Sequence, residues 1–173
     1  MDHNQIINEL FDAAKEGNAA RLQELLIPRP EYVNMENAEG LTLLGYAAHF
    51  GHPEAVRVII AAGADVDAVS HSNISFIPSN TALHAAIAGE RNMDVIRLLL
   101  THHAGTRIFD SNGHTCLHSA AFHDDNVELI HLLIEYGADV NAQFDEGETA
   151  IGLAEKQGNH KVTELLKQCS APQ

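Results

Sequence analysis

The chain has 173 residues, of which 10 are basic and 24 acidic, giving a formal net charge of −14. That balance excludes a surface built to neutralise the phosphates of nucleic acid or an anionic membrane. Two cysteines, Cys116 and Cys169, are too few for a disulfide framework. Met1-Asp2-His3-Asn4-Gln5 carries neither the basic flank nor the apolar stretch of a signal peptide, and apolar runs such as Val58 to Ala62 are far too short to span a bilayer. The expectation is a cytoplasmic protein.

Apolar residues make up 45% of the chain but aromatics only 5%, so the core must be built from Ala, Leu, Val and Ile. Close, repetitive helix packing needs small residues of that kind, and repeats are present. The segment Gly63-Ala64-Asp65-Val66-Asp67-Ala68 returns as Gly137-Ala138-Asp139-Val140-Asn141-Ala142, and Thr81-Ala82-Leu83-His84-Ala85-Ala86 returns as Thr115-Cys116-Leu117-His118-Ser119-Ala120. Registered on threonine, the units start at Thr42, Thr81, Thr115 and Thr149, spaced by 39, 34 and 34 residues.

In chain order, the first unit (5–36) lacks the threonine but keeps Ala13-Ala14, Gly17, Leu22, Leu25 and Leu26 in register, with polar Asp12, Lys15 and Glu16 as befits a terminal cap. The second (37–69) has its threonine helix and then Ala55, Val56, Ile59 and Ile60 at helical spacing. The third (70–109) opens with an insertion near 69–79 that makes its connection six residues too long. The fourth (110–143) starts on the turn Asp110-Ser111-Asn112-Gly113 and places Leu129, Ile130, Leu132, Leu133 and Ile134 on its second helix. The fifth (144–170) ends with Lys156, Gln157, Lys161, Glu164 and Lys167, a polar outer cap. Each threonine is placed to accept from a first-turn N–H. Gly63 and Gly137 sit where a left-handed residue closes a helix, and His103 stands where the third unit needs such a glycine, so either His103 is left-handed or the turn is remodelled and Gly105 is.

These residues resemble the ankyrin repeat, whose unit of about 33 residues joins two helices and a bridging hairpin. The resemblance covers nearly the whole chain and implies an all-α ankyrin-repeat solenoid of five units forming a single domain, 1–173, of a short type that also occurs in bacteria. It departs from the family pattern where Leu43, Ala82, Cys116 and Ala150 replace the proline, and where Gly45 and Gly152 replace the histidine.

The twelve histidines carry no converging metal-ligand spacing. His84 and His118 fall at the family's structural histidine, and His52 at a turn-capping position. No nucleophile elbow, phosphate loop or His-Glu-x-x-His pair is present, so the chain reads as a non-enzyme without cofactor. The carboxylates Asp145, Glu146 and Glu148 read as a solvated edge, and Cys116 as a buried, inert thiol.

The resemblance implies a protein-interaction module that binds through hairpin tips and the concave face. The candidate contact residues are Leu41, His49, Phe50, Ile74, Phe76, Ile77, Phe109, His114, Phe122, His123 and Phe144. Aromatic anchors are the usual hot spots of such surfaces, although each ring has the alternative of packing on the next unit's hairpin. The acidic surface favours a protein partner with basic patches, and the chain itself is expected to be monomeric. The Ile74-Ser75-Phe76 alternation suits a short extended finger beside the groove. It would either meet Phe50 and Phe122 in one apolar surface or fold down and bury Ile74 and Phe76. Two other readings stand beside this one: a metal-dependent enzyme hidden on the scaffold, and a substrate of an asparaginyl hydroxylase, since 138–142 resembles the segment such enzymes modify at the position of Asn141.

Overall fold

The computed structural model describes residues 1–170, so the last three residues of the expected single domain, 171–173, lie outside the described residues. Among the described residues ten α-helices follow one another in pairs: α1 (His3–Glu16) and α2 (Ala19–Leu26), α3 (Leu43–His49) and α4 (Pro53–Ala61), α5 (Ala82–Ala88) and α6 (Met93–Thr101), α7 (Cys116–His123) and α8 (Val127–Glu135), and α9 (Ala150–Gln157) and α10 (His160–Ser170). Among the described residues there is no strand, only the isolated bridges Glu36–Thr42 and Phe144–Glu148. No helix among them is long and apolar enough to cross a membrane.

The chain divides into two compact units, Met1–Ala104 and a second that starts at Gly105. In the first, α3 packs against α1 and α5, while α4 packs against α2 and α6. In the second, α7 packs against α9 and α8 against α10. Of the positions that the helical spacing selects, Leu22, Leu25, Leu26, Ala55, Val56, Ile59, Leu129, Ile130 and Leu133 are buried, while Ile60, Leu132 and Ile134 are only half-buried.

Local chemistry sets the helix boundaries. Thr42, Thr81, Thr115 and Thr149 all cap their helices, each hydroxyl accepting the N–H of the third helical residue. At Thr81 and Thr115 the histidine completes a capping box by returning its Nδ1 to the threonine backbone N–H. His118 Nε2 then donates to the Ala142 carbonyl at 2.9 Å, tying α7 to the hairpin that follows α8. Because Nδ1 accepts, the ring is neutral, and burial holds its pKa below the ordinary value of about 6.5.

Beside it, Cys116 is 1% exposed and its thiol donates to the Thr106 carbonyl at 3.3 Å. Burial pushes this thiol up to about 12, outweighing the first-turn N–H groups that pull it down.

Helix ends follow the same logic. Gly63 (φ 100°) and Gly137 (φ 94°) close α4 and α8, the glycine N–H reaching one carbonyl of the last turn and the next N–H reaching the one before it. His103 closes α6 in the same way at φ 69°: its N–H reaches Leu100 and that of Ala104 reaches Leu99, both at 3.0 Å. A histidine there keeps the closing hydrogen bonds and bears the steric cost of a Cβ at positive φ.

Three outcomes check this account. His103→Gly should stabilise the protein by up to about 1 kcal/mol in urea unfolding, with the denaturant slope unchanged. A native-state thiol assay should titrate the exposed Cys169 alone, and both cysteines in denaturant. His118, whose folded pKa lies below its unfolded one, contributes its full stabilisation above about pH 6.5 and loses it as the pH falls through the folded value. Replacing it by Gln should therefore lower stability at pH 7.5 by about 1–3 kcal/mol and flatten the acid-side loss.

Candidate partner-binding site

The insertion between α4 and α5 is a strapped loop rather than the extended finger the alternation suggests. At its base the Ser70 N–H donates to the Asn80 carbonyl at 2.9 Å, and the Asn80 N–H returns to Ser70 Oγ at 3.0 Å. One step further up, the Ser72 N–H donates to Ser79 Oγ at 3.1 Å. The tip is a turn in which the Ile77 N–H donates to the Ile74 carbonyl at 3.1 Å. The Ser72 hydroxyl accepts from the Ile74 N–H at 3.3 Å and bends the chain there, which breaks the two-residue alternation.

A second set of bonds fastens the insertion to the preceding hairpin. The N–H groups of His71 and Asn73 donate to the carbonyls of Gly40 and Glu39 at 2.9 and 3.1 Å. The Asn73 amide donates to the Ala38 carbonyl at 2.9 Å, and His71 Nδ1 lies 2.7 Å from a Glu36 carboxylate oxygen. Gly40 makes this possible twice over. It adopts φ 78°, and a Cβ there would lie 1.9 Å from the His71 carbonyl oxygen. The hairpin itself is fixed by Asn37, whose Oδ1 accepts from the N–H groups of Glu39 and Leu41, both at 3.0 Å.

Between this loop and α3 lies a mainly apolar cavity of about 330 Å³, walled by Leu41, Tyr46, Phe50, Ile74, Phe76 and Ile77, with Glu39 and His49 at its polar margin. Gly45, where the repeat pattern expects histidine, lines the cavity too. A side chain there would press on the Thr42 hydroxyl, 2.8 Å from the Cβ position. Phe76 is 83% exposed, so the loop does not fold down to bury it, whereas Ile74 and Ile77 are partly covered. Tyr46 stands edge-on to Phe11 and Phe50, with centroids 5.2 and 5.1 Å away. Burial raises the pKa of its phenol, and the charges of Glu39 and Asp12 add to the shift. Lys15 Nζ lies 5.7 Å from the centre of the Phe50 ring.

Six of the eleven candidate residues thus meet around one cavity in the first unit. The other five lie in the second unit. Phe109 and Phe122 are 51% and 45% exposed, and Phe122 lies against His123 at 5.2 Å. Phe144 is half-buried between His114 and His118, at 4.2 and 5.0 Å, and so packs on the hairpin and α7 of the preceding repeat. Tyr46 and Glu39 were not singled out from the sequence; Gly45 was, but only as a glycine in place of the family's histidine.

The remaining polar residues have local roles. His52 Nε2 donates to the Lys15 carbonyl at 2.8 Å, capping α1. Glu148 pairs with Lys156, while Asp145 and Glu146 are exposed on the last hairpin. Asn141 is exposed, and its backbone N–H donates to Asp139 Oδ1 at 2.9 Å. Among the described residues no group of three or more His, Cys, Asp or Glu side chains is placed to hold a metal ion.

The sequence profile of the family described as ankyrin repeats (3 copies) matches residues 10–104 and again 63–144. Human NAD-capped RNA hydrolase NUDT12 is 34% identical over 83 residues, 48% of this chain and 17% of its own length. Ankyrin repeat domain-containing protein 29 of Danio rerio is 42% identical over 62 residues, 36% of this chain and 21% of its own. An ankyrin repeat protein of Pseudomonas aeruginosa is 36% identical over 61 residues, 34% of this chain and 33% of its own. The chain therefore aligns with a third or less of each of these relatives, and the hydrolase activity named for the first is that protein's. Together the two matches run from residue 10 to residue 144 and span most of the chain: the chain belongs to the ankyrin-repeat family.

Proposed function

We propose that the chain is a non-catalytic protein-interaction module, cytoplasmic and monomeric, whose partner docks in the cavity between α3 and the insertion. Ankyrin repeats mediate protein–protein interaction as a class. In this reading the five helix pairs are five repeats, and the insertion is the element particular to this chain.

One observation carries the proposal: Phe76 is 83% exposed on a loop held at both its base and its flank. A large ring in water on a mobile loop would be unremarkable. Held over a pre-formed apolar cavity, it provides contact area whose ordering cost is already met within the fold. The net charge of −14 favours a partner bearing basic patches.

The test is Phe76→Ala in the full chain. Partner recovered from the source cell by wild-type affinity capture should bind the variant tenfold or more weakly, about 1.4 kcal/mol. The thermal midpoint should shift by no more than about 2 °C, since so exposed a ring contributes little to the core. Unchanged affinity, or a loss of stability near the ~3 kcal/mol of a truncated core phenylalanine, would contradict the proposal.

A further inference from the structure

We propose that the group seated in the cavity is an arginine side chain presented by the partner protein, its guanidinium stacked on the aromatic walls and paired with Glu39. This rests on the interaction reading above and goes further by naming the occupant's chemistry.

The cavity combines two features that one side chain satisfies together. Its walls are aromatic and aliphatic: Tyr46, Phe50 and Phe76 with Leu41, Ile74 and Ile77. Its margin carries Glu39, whose carboxylate has no ion pair within the described residues. Asp12 adds a second negative charge felt at the Tyr46 hydroxyl. The aromatic group already draws one cation of the chain itself, Lys15, whose ammonium stands 5.7 Å from the Phe50 ring centre.

A purely apolar anchor would fill the walls but strip water from Glu39 and the Tyr46 hydroxyl without replacing it. Lysine would bring a compact, strongly hydrated ammonium that favours the solvent end of such a site. Arginine offers an apolar stem for the walls, a flat cation for the rings and a fork of donors for a carboxylate. A guanidinium also complements a chain of net charge −14.

The experiment is an NMR titration of the isotopically labelled full chain at pH 7.5, using three probes in parallel. These are the N-acetyl methylamides of arginine, of citrulline (its neutral isostere) and of norleucine. The arginine probe should give saturable shifts at the amides of Leu41, Tyr46, Phe50 and Phe76, with citrulline and norleucine weaker by about fivefold or more. Glu39→Gln should bring arginine down to the level of citrulline without altering the thermal midpoint. Equal or tighter binding of either neutral probe would overturn the proposal, as would the absence of saturable shifts in the cavity up to about 50 mM probe, a concentration that reveals even a very weak site. If the arginine probe fails while Phe76→Ala still breaks partner capture, only the occupant is wrong. If both fail, the docking site itself is refuted.

Discussion

Within each unit, the first helices of successive pairs meet through methyl groups. Ala14, Ala47, Ala48 and Ala86 are fully buried where α1, α3 and α5 pack together, as are Ala121 and Ala154 where α7 meets α9. Small residues let helix axes approach to the short end of the usual 8–10 Å range. The loops that join those helices are then brought as close as the helices are. At Gly40 the consequence is sharpest: the hairpin after α2 and the insertion before α5 touch backbone to backbone, with no room for a Cβ between them. The cavity depends on that contact, because it fixes the loop that forms one of its walls.

Tyr46 and Phe50 are half-buried beside the cavity, edge to face with one another. Gly45, in place of the histidine found at its equivalents His84 and His118, leaves the space beside them open. Where the histidine is present it does structural work, as the bond from His118 to Ala142 shows.

Much of this was legible in the residues. The threonine caps and the closing glycines are local features, each set by a few neighbouring atoms, so sequence order alone locates them, whereas at the end of α6 it left His103 and Gly105 as alternatives and the fold takes His103. The insertion was legible in its length and apolar content but not in its shape. Alternation suggested an extended finger, whereas side-chain bonds from Ser72 and a turn from Ile74 to Ile77 decide the geometry. Its seat against residues 38–40 comes from pairings more than thirty positions apart along the chain, which no local pattern encodes. The same reason hid Glu39 and Tyr46, ordinary hairpin and helix residues until the insertion is placed over them. Phe144 shows the converse, a ring that reads as an exposed anchor until His114 and His118 are seen to flank it.

The central claim is that the insertion is a fixed wall and not a mobile loop, and amide hydrogen exchange on the native full chain measures that directly. The N–H groups of Ser70, His71, Asn73 and Asn80 are all engaged in the strap. They should exchange at least about a hundredfold more slowly than an unstructured peptide, while the tip amides of Ser75 and Phe76 exchange fast. Exchange of all of 70–80 at the unstructured rate would show that the wall does not exist in solution, and the docking site would go with it.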